Sequence, residues 1–279
     1  MIREVRSCFP RVSIHRMCAL LGVSRSLVYV RCAPPSFEAE LLAIERLVTT
    51  YLGYGYRRVA RAMQADGFSV TEYSVRKLMR DHGLLARRPR SRGVTRAGAR
   101  DRRACNLAKG MRARHPSELW GADTTRLTTD SGPVYLAAIL DLFSRKVVGW
   151  SLSRRNDEAL VADCLRRALD LRRPDNGWIH HTDQGSTYTA SGYTRIIRDY
   201  GGRCSLSAPG KPRDNAHVES FFRTLKLEEI DRKRYESFLE AQHSIGRFIE
   251  QIYNATRMHS ALEYMSPDQF ESRLAGETR

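Results

Sequence analysis

From Ser117 onward the apolar residues change spacing in an order that few folds can accommodate. Leu119 to Leu127, Val134 to Leu140 and Lys146 to Leu152 read as strands, joined by a turn at Thr129 to Pro133 and by the segment LFSR, which predicts an antiparallel meander. Asn156 to Leu171 reads as a helix capped by Asn156, and Trp178 to Thr182 as a buried strand. Thr189 to Tyr200 then reads as a helix ended by Gly201 and Gly202, and Arg203 to Ser207 as a strand. The loop APGKPRDN leads into a helix over Ala216 to Glu229, followed by a longer helix, Tyr235 to Asn254, and a short one in SPDQFESRL. This order predicts an α/β fold: a mixed five-stranded sheet with flanking helices.

The front of the chain is written at helical spacing. VSIHRMCALLGVSRSLVYVR, Val12 to Arg31, fits two helices around a turn at Gly22, with Ser24 able to cap the second. Either this is a helix-turn-helix, with Ser24, Arg25 and Ser26 opening a recognition helix, or it is an ordinary helical hairpin. A second pair runs from Gly55 to Gly83, broken at Asp66-Gly67, with Val59, Ala60, Met63, Val75, Leu78 and Met79 on its apolar face. Arg57, Arg58, Arg76 and Lys77 are its candidates for phosphate contacts, against the alternative of a solvated charged face. Residues 87–115 lack apolar periodicity and read as a basic linker. The expected organisation is therefore a helical DNA-binding region at 1–86, this linker, and a core at 116–279.

Charge follows the same division. The formal net charge is +16, of which residues 1–86 carry +6, residues 87–115 carry +10 and residues 116–279 carry none. A front-loaded basic excess suits a polyanion, because each cation placed near a phosphate releases a condensed counterion. Nucleic acid is the expected partner, since no apolar run spans a membrane and no basic-then-apolar signal segment opens the chain, which reads as cytoplasmic. With 42% hydrophobic residues the chain can build a core. Its six cysteines are scattered without the paired spacing of zinc sites or disulfide frameworks.

Three carboxylates fall where this strand order brings chain segments together. Asp123 lies in the first strand, Asp183 follows the fourth, and Glu219 lies on the helix after the fifth. If the first and fourth strands are neighbours, all three converge beyond the strand ends. Converging carboxylates repel unless cations intervene, and hard oxygen ligands favour Mg²⁺ or Mn²⁺. Such a site suits phosphodiester cleavage or transfer.

The residues around each carboxylate, WGADTT at 120–125, HTDQGS at 181–186 and DNAHVES at 214–220, with 35 residues between Asp183 and Glu219, resemble the DDE signature of transposases and retroviral-type integrases. DLFSRKVVGW, ESFFRTLKLEE and YNATRMHSALEYMSP look like the second-reading-frame transposase of the insertion-sequence-three family, and YGYRRVARAM with VRKLMRDHGLLA resembles its helix-turn-helix region. The resemblance implies a ribonuclease-H-like core and Mg²⁺ dependence, with Mn²⁺ able to substitute. It implies cleavage and strand transfer at the inverted-repeat ends of an insertion sequence. Asp123, Asp183 and Glu219 then become metal ligands. Lys226, seven residues past Glu219, is expected to face the same site and contact DNA, as are Lys211, Arg213 and Asn215 on the preceding loop. The resemblance further implies double-stranded DNA as partner, a homo-oligomer on DNA, an upstream-frame protein, and a bacterial, nucleoid-associated location. Zinc is not expected, because the His-His-Cys-Cys module of retroviral integrases is missing.

Other residues read more simply. The H-x-E of His217 and Glu219 lacks the cysteine pair of zinc deaminases. His180 and His181 either touch substrate or fix a strand end; Asp141 suits turn chemistry, and Trp120 and Trp150 suit the core. The rival to an enzyme is a DNA-binding regulator, catalytically silent unless fused to an upstream frame.

Overall fold

The computed structural model describes residues 11–24, 37–86, 105–208 and 215–277. The chain divides into two compact units, Met1–Ala43 and Ile44–Arg279. In the first, helix α1 (Ile14–Leu20) is capped by Ser13, whose hydroxyl accepts the Arg16 N–H, and Gly22 turns the chain with φ 61°. The expected second helix of this pair, with Arg25 and Ser26, lies outside the described residues.

Helix α2 (Glu38–Thr50) leads into the second unit and has no counterpart in the expected pattern. Leu41, Ile44, Leu47 and Val48 recur on it at helical spacing, and Ile44 and Leu47 are buried. Helices α3 (Tyr56–Ala65) and α4 (Glu72–Asp81) form the expected pair, burying Val59, Ala60, Met63, Val75 and Met79. Thr71 and Ser74 form a reciprocal capping box at the start of α4, and Gly67 and Gly83 hold the positive φ that ends each helix.

The sheet contains β1 (Leu119–Thr129), β2 (Gly132–Asp141), β3 (Val147–Ser153), β4 (Ile179–Thr182) and β5 (Arg203–Leu206), in the order β3-β2-β1-β4-β5. β1, β2 and β3 are antiparallel, while β4 pairs parallel to β1 and β5 parallel to β4. Alternate residues of β2 enter two cores: Ala137 and Ile139 on one face, Leu136, Ala138 and Leu140 on the other.

The first face is covered by α5 (Glu158–Arg172), the single turn α6 (Ser186–Thr189) and α7 (Ser191–Asp199). Helix α5 starts later than expected: Asp157, not Asn156, caps it, accepting the Leu160 N–H at 3.2 Å. Gly149 lets α5 lie directly on β3, since a Cβ there would stand 2.6 Å from the Cys164 carbonyl oxygen. Helix α8 (Ala216–Glu228) and α9 (Phe238–Arg247) cover the second face. α9 begins after Ser237, whose hydroxyl caps Glu240, and the chain continues as a π-helical stretch, Phe248–Asn254, where one α-helix was expected. Asn254 donates to and accepts from the Val147 backbone, occupying the hydrogen-bonding edge of β3 there.

Residues 105–108 bond to β5: Leu206 N–H reaches the Cys105 carbonyl, and Ser205 Oγ accepts from the N–H groups of Leu107 and Ala108. The last helix, α10 (Pro267–Glu277), is held by charge. Arg172 joins Glu271 to buried Asp141, and Lys146 reaches Asp268 at 2.7 Å. Asp141 also accepts the N–H groups of Ser117 and Phe143, so it holds its turn and pairs with Arg172 as well.

Candidate active site

Two parallel strands deliver the first two carboxylates. Gly121 is in register with His181, and Asp123 and Asp183 each lie two residues further on. With neighbouring strands about 4.8 Å apart, both leave the same end of the sheet on the same side. Pairing of β1 with β4 stops at Gly121, so from Ala122 onward that edge of β1 has no strand neighbour among the described residues and borders a cleft. The cleft, about 1290 Å³, is lined by Asp123, Thr124, Arg126 and Thr128 of β1 and by Glu219, Arg223 and Lys226 of α8. Positions i, i+4 and i+7 of a helix share one stripe, so α8 presents its carboxylate and two cations together.

Close packing of α8 on β1 needs Gly121. A Cβ there would fall 2.7 Å from Val218 and 3.3 Å from Asn215 Oδ1. Asn215, expected on a DNA-contacting loop, is instead buried, and its Nδ2 donates to the Ala122 carbonyl at 3.1 Å. It ties the start of α8 to the strand bearing Asp123.

Electrostatics links the three acids. Burial, together with the negative charges of Asp183 and Glu219, pushes the Asp123 carboxyl up to about 7, against the Thr124 N–H and the Lys226 ammonium. Burial also raises Glu219, with Arg223 opposing. Asp183 Oδ1 accepts the Gly185 N–H at 2.8 Å, which orients it at the strand end. The donor set is all oxygen and carries excess negative charge around a carboxylate that resists ionisation, as suits a hard divalent cation. Among the described residues, no three His, Cys, Asp or Glu side chains stand close enough to hold a metal ion. Glu219 is exposed on its helix.

The neighbouring histidines are structural. His181 is buried, with Nδ1 on Ser205 Oγ at 2.9 Å and Nε2 on Ser207 Oγ at 3.0 Å. His180 meets the Tyr193 hydroxyl at 2.7 Å, and burial pushes it down to about 3. Sequence reasoning missed three residues here. Arg126 and Arg223 line the cleft, and the buried Tyr188 hydroxyl, without a hydrogen-bond partner, lies within electrostatic reach of Asp123 and Asp183. Their one signal was position: three residues after Asp123, four after Glu219, and five after Asp183.

The remaining expected DNA contacts divide. Arg57, Arg76 and Lys77 are exposed, and Arg57 and Arg76 both flank the Tyr56 ring, at 5.5 and 5.4 Å. Arg58 is half-buried, over the Tyr54 ring at 5.6 Å. Ser24 is exposed, while Lys211 and Arg213 lie outside the described residues. No described helix is long and apolar enough to cross a membrane.

Two stretches of the chain, 113–212 and 200–267, match integrase core domain models, and residues 38–92 match an HTH-like domain. The chain is 41% identical to the transposase for insertion sequence element IS904 of Lactococcus lactis, over 78% of this chain and 87% of that one. It is 32% identical to transposase InsF for insertion sequence IS3A of Escherichia coli, over 94% of each. An intasome of simian T-cell lymphotropic virus, in complex with PP2A regulatory subunit B56 gamma, aligns at a TM-score of 0.44 and 14% identity, covering 82% of this chain and 74% of that chain. With its integrase core, its HTH-like region and similarity to these bacterial relatives over 78% and 94% of its length, the chain belongs to the IS3 family of insertion-sequence transposases.

Proposed function

We propose that this chain is a polynucleotidyl transferase that cleaves DNA at the inverted-repeat ends of an insertion sequence and joins those ends to a target. The reading is carried by the electrostatic grouping of Asp123, Asp183 and Glu219 at one end of the sheet, within a chain of transposase ancestry. These three residues are the proposed ligands of Mg²⁺, for which Mn²⁺ substitutes. When bound, such ions activate the attacking oxygen and stabilise the leaving one in an in-line displacement. The chain's own contribution is placement. Asp183 is oriented by Gly185, Asp123 is fixed in a strand, and Arg126, Arg223 and Lys226 supply positive charge where a phosphodiester enters the cleft. Arg57, Arg76, Lys77, Lys211 and Arg213 are proposed DNA contacts, as are Ser24, Arg25 and Ser26. In this reading residues 1–86 bind the ends, 87–115 follow the backbone and 116–279 carry the chemistry. The protein acts in the bacterial cytoplasm at the nucleoid, as a homo-oligomer on DNA and with an upstream-frame protein.

The test is nicking of supercoiled plasmid in Mg²⁺, Mn²⁺ or EDTA by the wild-type chain and by Asp183→Asn, with DNA binding measured alongside. Metal-dependent nicking that disappears in the variant while binding persists is the expected result. Undiminished nicking by Asp183→Asn would falsify the assignment.

A further inference from the structure

The segment YNATRMHSALEYMSP has no part in the carboxylate cleft, yet it gathers an unusual amount of positive charge. Buried Tyr253 meets Phe221 edge-on at 4.9 Å and His259 at 4.8 Å. Arg257, 4% exposed, forms a two-pronged ion pair with Glu228, at 2.8 and 2.7 Å. The loop between α2 and α3 closes over this pair. Met258 N–H donates to the Tyr54 hydroxyl at 2.7 Å, and at Gly53 a Cβ would stand 2.0 Å from Glu228 Oε1. Glu228 is thus committed to Arg257.

Two more arginines approach, Arg58 within electrostatic reach of Glu228, which Arg257 already engages. Arg58 lies over Tyr54, and its Nε is buried with no hydrogen-bond partner. Arg145 holds a left-handed backbone, φ 63°, in the turn between β2 and β3, and its Nη1 is likewise buried and unpartnered. The acid nearest in charge to Arg145 is Asp141, whose oxygens are already taken by Ser117, Phe143 and Arg172. Both arginines are partly exposed. Burial, with the charges of Arg257, Arg58 and Arg145, pushes His259 down to about 3, so it stays neutral and adds no further cation. Partly desolvated guanidinium groups with unsatisfied N–H donors are costly in a free protein and call for an anion of several oxygens.

We propose that Arg58 and Arg145, gathered around His259, form a second DNA-contacting face that grips backbone phosphates away from the carboxylate cleft. The proposal rests on the transposase reading and adds where the duplex is held. This face belongs to both the HTH-like region, through Arg58, and the core, through Arg145. A duplex seated on it touches both.

The experiment measures binding of a labelled duplex of arbitrary sequence to the full chain across a salt series, for wild type, Arg58→Gln, Arg145→Gln and the double variant. Each lost phosphate contact is expected to flatten the plot of log K against log salt by about one. Without DNA, the variants should melt at or above the wild-type temperature, because an uncompensated charge has been removed. Inorganic phosphate should raise the melting temperature of wild type and not of the double variant. An unchanged salt slope in both single variants, or a lower melting temperature with the slope intact, overturns the proposal and makes the arginines structural. Wild type that shows no salt-dependent binding at all defeats the transposase reading itself, a result distinct from failure of these two side chains.

Discussion

Asp123 pays an electrostatic penalty in the folded chain that it does not meet when unfolded. Its carboxyl is raised from the ordinary value of 3.8 to about 7, so between those values the native state binds the extra proton. Stability therefore falls as pH rises through this range and stays low above it. Asp123→Asn should stabilise the fold at pH 8 in EDTA, by on the order of a few kcal/mol in urea unfolding, and have little effect at pH 4. A neutral or destabilising substitution at pH 8 contradicts the raised Asp123 carboxyl. His180 has the opposite sign. Burial holds it neutral, with its pKa near 3, so the unfolded chain binds the proton first and stability is lost as pH drops below 6.5. His180→Gln, which keeps an acceptor for Tyr193, should flatten the melting temperature between pH 6.5 and 4.5.

At the scale of elements, glycine decides how closely helices approach the sheet. Gly149→Ala puts a methyl group against a backbone carbonyl that has no rotamer to yield, and should cost about 1–3 kcal/mol in urea unfolding without altering the salt slope of DNA binding. Asn215→Ala should lower nicking far more than DNA binding, because it frees the start of α8 from Ala122 and leaves the exposed basic groups in place. All five strands and most core helices were legible, because β2 is a short continuous apolar run bounded by turn residues and α5 and α8 are amphipathic over several turns. Helix α2 has no place in that reading, although Leu41, Ile44, Leu47 and Val48 recur on it at helical spacing. The three carboxylates were legible through their motifs. Arg126, Arg223, Tyr188 and the inward turn of Asn215 were not, because each depends on which side of a strand or helix faces the cleft, and short polar stretches do not fix that.

Across the whole molecule, Glu228 and Arg257 pair where the loop before α3 meets the core. Removing one partner of a buried pair leaves a lone charge, so Glu228→Ala should cost about 3–5 kcal/mol, whereas replacing both residues by apolar ones should restore much of it. Hydrogen exchange offers the check. The single variant should lose protection in Tyr56–Ala65 before the strands do, and equal loss everywhere would mean the pair does not connect the two regions.

Helix α8 has a further consequence as a carrier. Its first turn carries Glu219, its middle carries Arg223 and Lys226, and its last residue, Glu228, is clasped by Arg257 beneath Gly53. The two aspartates, by contrast, are riveted to strands whose spacing the backbone sets. Glu219, Arg223 and Lys226 therefore share one carrier, whose far end meets the loop before α3.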